Sequence, residues 1–188
     1  MHGIRHFINQ FSPITESAWE DLVQIMKPQK FGKGDLLIDN HRVCKKLYFL
    51  ETGLVKLYFI NGEGNDIILR FFKENSVFTS LESFLTEQPT AHMIKALEKS
   101  SVLTVEKNQF NQLCDQHPGL FLFYQKLLEQ ININMLQRIT ELLKDDAKMR
   151  YNLFIEGNPS IAQRISLGDL ADYLGITQVS LSRIRALR

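Results

Sequence analysis

Cysteine and histidine are scarce in this chain, and their spacing argues against most metal chemistry. The 188 residues include two cysteines, Cys44 and Cys114, which form no CxxC pair and have no histidine at zinc-ligand spacing. A disulfide framework, a zinc site or an iron–sulfur cluster would each need more ligands. The five histidines are scattered, which indicates neither haem ligation nor a cupin-like metal cluster. We therefore expect no metal and no cofactor.

Signatures of catalysis are missing as well. The chain has no nucleophile elbow, no paired catalytic carboxylates and no glycine-rich phosphate loop. The GEG sequence within residues 61–65 lacks the other residues of a nucleotide loop and is typical of a hairpin turn. We expect a protein that is not an enzyme and has no catalytic residues.

Long apolar runs and an excess of one charge are also absent. No run approaches the roughly 20 apolar residues that span a bilayer, and MHGIRHFINQF at the start lacks the apolar region of a signal peptide. We therefore expect a cytoplasmic protein without a membrane partner. The net charge is only +1, so any affinity for nucleic acid must come from a local basic patch.

Residues 165–188, ISLGDLADYLGITQVSLSRIRALR, predict two short helices around a glycine turn. Gly175 suits the end of the first helix, and Thr177 can cap the second. Leu181 and Ile184 are spaced to face inward from the second helix. The apolar stripe of the first helix consists of Leu167, Leu170, Ala171 and Leu174. This pattern is typical of a DNA-binding helix-turn-helix, although similar helix pairs occur in helical domains that bind nothing.

The second helix of such a pair enters the major groove, and its first residues reach base edges. Arg183 is the candidate for a bidentate contact to guanine and Gln178 for a contact to adenine. Thr177 and Ser180 are expected to hold phosphate, and the remaining arginines to add positive charge. The candidate DNA-binding residues are Thr177, Gln178, Val179, Ser180, Ser182, Arg183, Arg185 and Arg188.

In residues 27–105 the apolar residues no longer follow the spacing of a helix. Short runs rich in Ile, Leu, Val, Tyr and Phe alternate with turn residues, which predicts an antiparallel β-roll of the double-stranded β-helix or jelly-roll type. Asn61-Gly62 marks the clearest hairpin turn. A short helix is expected at Val77–Leu85, between strands, and another at Ser12–Met26 ahead of the roll. The expected fold class is therefore α+β.

Pro118 opens a long predicted helix that runs to about Lys144. A sustained seam with spacings of three and four favours pairing with a second copy in a coiled coil. The same helix has a second apolar edge, so it can also pack on its own roll, and the two interpretations are compatible. The expected dimer seam consists of Phe121, Tyr124, Leu128, Ile131, Met135 and Leu142.

The order of these parts resembles the Crp/Fnr family of bacterial transcription regulators. The segments that carry the resemblance are KGDLLI, KLYFLETGLVKLY, VFTSLESFLTEQPTAHMIKAL and LADYLGITQVSLSRIR. The resemblance implies a cyclic-nucleotide-binding-like sensor roll over residues 1–117 and a dimerisation helix over 118–145. It implies a helix-turn-helix domain over 146–188, with double-stranded DNA and a second copy as partners.

The chain departs from that family in the roll. Members that bind cyclic AMP carry Gly-Glu at the start of the inserted helix and Arg-Ser or Arg-Thr before the next strand. The matching pairs here are Thr79-Ser80 and Thr90-Ala91, so both charged anchors are missing. We expect weak or no binding of cyclic AMP, and either another, unidentified small-molecule effector or a roll that serves only as a scaffold. The candidate effector-pocket residues are Thr79, Ser80, Leu81, Thr90, Ala91 and His92.

Two functions remain open at this point. The first is a dimeric DNA-binding transcription regulator. The second is a ligand-binding or protein-interaction module whose helix-turn-helix does not read DNA. Strong, salt-dependent binding to specific duplexes fits only the first.

Overall fold

The computed structural model describes residues 2–186, and eight strands form its first half. These strands are β1 (Lys27–Phe31), β2 (Leu36–Ile38), β3 (Lys46–Thr52), β4 (Val55–Ile60), β5 (Asp66–Phe72), β6 (Ser76–Phe78), β7 (Met93–Ala96) and β8 (Ser100–Glu106). They make two antiparallel sheets with the orders β1-β8-β3-β6 and β2-β7-β4-β5. The α+β fold with an antiparallel roll is therefore confirmed.

Nine helices are present within residues 2–186. They are α1 (His2–Phe11), α2 (Glu16–Ile25), α3 (Leu81–Thr86), α4 (Lys107–Gln116), α5 (Pro118–Lys144), α6 (Ala147–Gly157), α7 (Pro159–Ala162), α8 (Leu167–Leu174) and α9 (Gln178–Ala186). Over this same range, no helix has both the length and the apolar character needed to cross a membrane.

The two sheets enclose an apolar core to which both contribute. Val55, Ile94 and Ala96 of one sheet pack there with Leu50 and Val102 of the other. The turn between β4 and β5 is the predicted hairpin turn. In it the Asn61 carboxamide oxygen accepts hydrogen bonds from the backbone N–H groups of Glu63 and Asn65.

Three details of the roll differ from expectation. Val77 does not open the inserted helix, because residues 76–78 pair with β3 and the helix begins only at Leu81. Helix α2 begins at Glu16 rather than Ser12, with Thr15 as its N-cap. Helix α1 was not predicted at all, although its Ile4 and Ile8 are fully buried against the roll and α5.

The outer face of the sheet containing β4 and β5 is covered by the C-terminal helices. Phe71 of β5 lies with its ring centroid 6.1 Å from that of Phe154 in α6 and 5.4 Å from that of Tyr173 in α8. Leu170 and Leu174 of α8 belong to the same buried cluster. The roll and the C-terminal helices thus share one apolar core.

Candidate nucleic-acid interface and effector pocket

Helices α8 and α9 form the helix-turn-helix. Ser166 caps α8 by accepting a hydrogen bond from the Asp169 N–H, and Gly175 ends it with φ +67°, a left-handed conformation that glycine adopts without strain. The Thr177 hydroxyl accepts a hydrogen bond from the Ser180 N–H at 3.2 Å and so caps α9. Leu181 is fully buried beneath α9.

The polar face of α9 is largely exposed. Among the candidate DNA-binding residues, Ser180 is half-buried and the exposed ones are Thr177, Gln178, Val179, Ser182, Arg183 and Arg185. The structure therefore places seven of the eight on or beside one short helix. Arg188, the eighth, lies outside the described residues. Leu167, which we expected in the apolar stripe of α8, is instead 47% exposed because it occupies the first, outward turn.

The start of α9 lies close to the first turn of α8. The Gln178 Nε2 atom lies 3.1 Å from the position that a Cβ would take on Gly168. A larger residue in place of Gly168 would have to move the Gln178 side chain. The glycine therefore leaves room for a residue that we expect to read a base.

Two arginines hold the C-terminal end of α8. The Arg138 guanidinium of α5 donates to the Tyr173 carbonyl and lies 4.0 Å from the centroid of the Tyr173 ring. Arg150 of α6 donates to the Leu174 carbonyl at 3.1 Å. Both cations satisfy orphan carbonyls at the negative end of the helix dipole.

A lysine from the roll holds the N-terminal end of α8. Lys56 of β4 is buried, and its Nζ atom lies 2.8 Å from both Asp66 of β5 and Asp169 of α8. Burial alone would lower the pKa of Lys56, but the hydrogen bonds to Asp169 and Asp66 outweigh it and raise the pKa above its usual value. Asp169 also accepts a hydrogen bond from Ser166 Oγ at 2.6 Å.

A second ionic cluster joins the loop before α8 to the turns of the roll. Arg164 pairs with Glu74 at 2.7 Å and with Glu98 at 2.6 Å, using both oxygens of each carboxylate. Burial acts to raise the pKa of Glu74, but the hydrogen bonds from Arg164 and from backbone amides lower it overall. Neither cluster was predicted, because no sequence signal pairs Lys56 with Asp169, or Arg164 with Glu74 and Glu98, over separations of 66 to 113 positions.

The two anchor positions of the roll meet in space. Ser80 occupies the N-cap position of α3, Thr90 precedes β7, and their hydroxyl oxygens are 2.7 Å apart. Both residues are buried, at 1% and 2% exposure. The hydroxyls thus satisfy each other at the place where the family's charged anchors would stand.

The other candidate pocket residues are spread around this pair. The Thr79 hydroxyl donates to the Lys46 carbonyl at 2.8 Å, which ties it to β3. Leu81 is half-buried and Ala91 is exposed. His92 lies with its Nδ1 atom 3.7 Å from a Glu82 carboxylate oxygen. The structure brings Ser80, Thr90 and His92 together, since the His92 N–H also donates to the Thr90 hydroxyl.

The exposed apolar face of α5 coincides only in part with the expected dimer seam. Tyr124 and Ile131 are partly buried against the core of the same chain, and their place in a dimer seam stays a prediction. Phe121, Met135 and Leu142 are exposed and Leu128 is half-buried. The exposed apolar residues toward the end of the helix are Ile133, Met135, Leu136, Ile139, Leu142 and Leu143. The face centred on Leu136 is therefore the one without cover from this chain.

Comparisons with known proteins agree with this architecture. Residues 28–117 match the family model of the cyclic nucleotide-binding domain. Over 88% of its length, the chain is 25% identical to electron transport regulator A of Shewanella oneidensis, and the match covers 69% of that protein. Over 69% of its length, it is 24% identical to the anaerobic regulatory protein of Bacillus subtilis. The chain spans only 55% of that relative.

Solved structures share the fold. The structure of FixK2 from Bradyrhizobium japonicum superimposes with a TM-score of 0.76 at 17% identity, over 87% of this chain and 84% of that one. A cyclic-nucleotide-binding-like roll, a long helix and a terminal helix-turn-helix together define a class of two-domain regulatory proteins. The named relatives and the structural neighbours support a Crp/Fnr-type regulator within that class, and the family model itself covers the roll.

Proposed function

We propose that this protein is a dimeric, sequence-specific DNA-binding transcription regulator. The observation that carries the proposal is the exposed polar face of α9, whose arginines and amide side chain lie beside a well-capped glycine turn. Arg183 and Gln178 take the base-reading roles, and Thr177 and Ser180 contact phosphate. The regulatory names of the two sequence relatives support the same function.

The second part of the proposal is that α5 joins two copies. Six large apolar side chains along the last three turns of this helix are 44–84% exposed. A contiguous apolar stripe on a long helix is typical of a helix pair. A two-fold dimer would present two α9 helices to half-sites about one DNA turn apart.

The third part is that the roll does not respond to cyclic AMP. A cyclic phosphate is held best by a charge-assisted contact such as that of an arginine. At the corresponding positions Ser80 and Thr90 are buried, uncharged and bonded to each other. A nucleotide would have to break that hydrogen bond without gaining an ionic one, so another effector or a scaffold role is favoured.

The test is selection of duplexes from a random pool, followed by anisotropy titration at several salt concentrations. We expect an operator with two related half-sites and a steep loss of affinity with salt. Cyclic AMP added to about 1 mM, enough to half-fill a site with a Kd of that size, should leave the affinity for DNA unchanged. Failure to select any sequence would overturn DNA reading and favour the interaction module instead.

A further inference from the structure

Helix α8 is held at both ends by side chains from other elements of the chain. Arg138 and Arg150 bind its last carbonyls, and Lys56 of the roll binds Asp169 in its first turn. We propose that Lys56 is a positioning residue for DNA reading. By binding Asp169 from within the roll, it holds α8, and with it α9, in the one orientation in which a dimer reads two half-sites together. This inference rests on the proposed function.

The contact is built into the cap of α8. The Asp169 carboxylate accepts hydrogen bonds from Lys56 Nζ at 2.8 Å and from Ser166 Oγ at 2.6 Å. The Asp169 backbone N–H in turn donates to the Ser166 hydroxyl. A displacement of Asp169 therefore moves the first turn of α8. Gly168 in that turn lies against Gln178, the first residue of α9, so the displacement reaches the recognition helix.

The same strand connects this contact to the interior of the roll. Val55 and Leu57, on either side of Lys56 in β4, belong to the core between the two sheets. Lys56 points the other way, toward α8, as the alternation of side chains along a strand requires. Strand β4 thus links the sensor core to the helix-turn-helix without an intervening loop.

The contact orients the reading helix and does not mask it. Gln178, Ser182 and Arg183 remain exposed while Lys56 is engaged. Binding two half-sites at once requires a fixed separation between two α9 helices, because the gain from a second site is lost when the geometry forbids simultaneous contact. Loss of Lys56 should therefore weaken binding to a two-site operator more than binding to a single half-site.

The experiment compares wild type, Lys56→Met, Asp169→Asn and the exchanged pair Lys56→Asp/Asp169→Lys on two duplexes. One is the operator selected by wild type, and the other contains a single half-site. Lys46→Met is the matched control, because Lys46 forms a bridge of 3.3 Å to Glu106 within the roll. Hydrogen exchange at the α8 amides, measured without DNA, reports the hold on the helix independently.

We expect Lys56→Met and Asp169→Asn to lose about tenfold or more in affinity for the full operator. Their affinity for the half-site should stay within about twofold of wild type, and their α8 amides should exchange faster. The exchanged pair should recover part of the loss, and Lys46→Met should behave as wild type. Arg164 and the shared apolar core keep the domain docked in these variants.

Two results would overturn the inference while the proposed function stands. One is wild-type affinity of Lys56→Met for the full operator. The other is an equal loss on both duplexes, which would indicate a general effect on the fold. Absence of specific binding by wild type itself would instead defeat the proposed function, and the inference with it.

Discussion

The Gln178 amide nitrogen lies 3.1 Å from where a Cβ would stand on Gly168, so the two helices of the helix-turn-helix meet at a glycine. Replacing Gly168 with alanine should push the Gln178 side chain aside. Helix propensity favours alanine by about 1 kcal/mol, and the Gln178 side chain is flexible, so stability should hold or rise. Preference for one base pair should relax, as seen by competition binding with single-base operator variants. Gly157→Ala, where nothing lies within 4 Å of the new Cβ, is the control and should not change preference.

The two arginines of α9, Arg183 and Arg185, should affect DNA binding in different ways when each is replaced with alanine. Arg183→Ala should cost about 1–3 kcal/mol of binding free energy and relax preference at one position. Arg185→Ala should weaken binding evenly across sequences and reduce the salt slope by about one. Anisotropy titrations at four salt concentrations on matched and mismatched duplexes distinguish the two. Identical behaviour of both variants would contradict the assignment of Arg183 to a base.

Phe71 packs between the roll and the C-terminal helices, because its ring contacts both Phe154 and Tyr173. Phe71→Ala should lower the free energy of unfolding by about 3–5 kcal/mol, the usual cost of such a cavity. The roll and the helix-turn-helix should then unfold in separate steps in urea. Leu69→Ala on the same strand, where Leu69 is 37% exposed, should cost less than about 1 kcal/mol. A small loss with a single transition in Phe71→Ala would show that the shared core does not couple the domains.

Leu136 is 66% exposed in the middle of the free face of α5. Leu136→Glu should weaken dimerisation by about 2 kcal/mol or more, as at an interface hot spot. Sedimentation equilibrium measures this directly. Leu85→Glu, at a leucine 50% exposed on α3, provides the matched control and should leave the dimer intact. Equal dimer affinity of the two variants would exclude this face as the seam.

Acid should release the C-terminal helices from the roll. The hydrogen bonds from Lys56 and Ser166 outweigh burial and lower the pKa of Asp169, and those from Arg164 lower the pKa of Glu74. A carboxylate with a lowered folded-state pKa stabilises the fold above its ordinary pKa of about 4, and that contribution disappears as pH falls through the folded value. Between about pH 5 and 9, Asp169 and Glu74 stay ionised and Lys56 and Arg164 stay charged. Over that range these four groups should not make the free energy of unfolding depend on pH.

The pKa of the neighbouring Asp172 is shifted in the opposite direction, so its effect on stability with pH is also opposite. Burial, together with the charges of Asp66 and Asp169, raises its pKa despite the attraction of Lys56. Its charge is therefore unfavourable in the fold at neutral pH and is relieved by acid. Urea unfolding at pH 7, 5 and 3 should show that the stability gap between wild type and Asp169→Asn is narrower at pH 3 than at pH 7. A gap at pH 3 as wide as at pH 7 would contradict the ionic origin of the contact.

Much of the fold could be predicted because its signals are local. Helix α5 begins at Pro118 and ends at Lys144, as the proline and the apolar period indicated. The turn after β4 follows from Asn61, and the end of α8 from Gly175. Helix α1 was missed because no cap or proline marks its start, although Ile4, Phe7, Ile8 and Phe11 follow the helical period. Its burial against the roll and α5 and the ion pair of Arg5 with Glu16 are contacts that the sequence does not show.

Which face of α5 is exposed was only partly predictable for a related reason. Tyr124 and Met135 satisfy the same spacing rule in the sequence, yet one contacts the roll and the other is exposed. A helix with apolar residues on two edges does not specify which edge meets its own chain. Arg138, a charged residue in the same helix, lies over the Tyr173 ring.

The sequence by itself determined the order of roll, long helix and helix-turn-helix, and the missing charge at Ser80 and Thr90, since period, turns and residue identity are properties of short segments. Only the tertiary structure decided that those two hydroxyls bond to each other and that Lys56 reaches Asp169. Those contacts join residues that are distant in the chain, and folding alone brings them within hydrogen-bond distance.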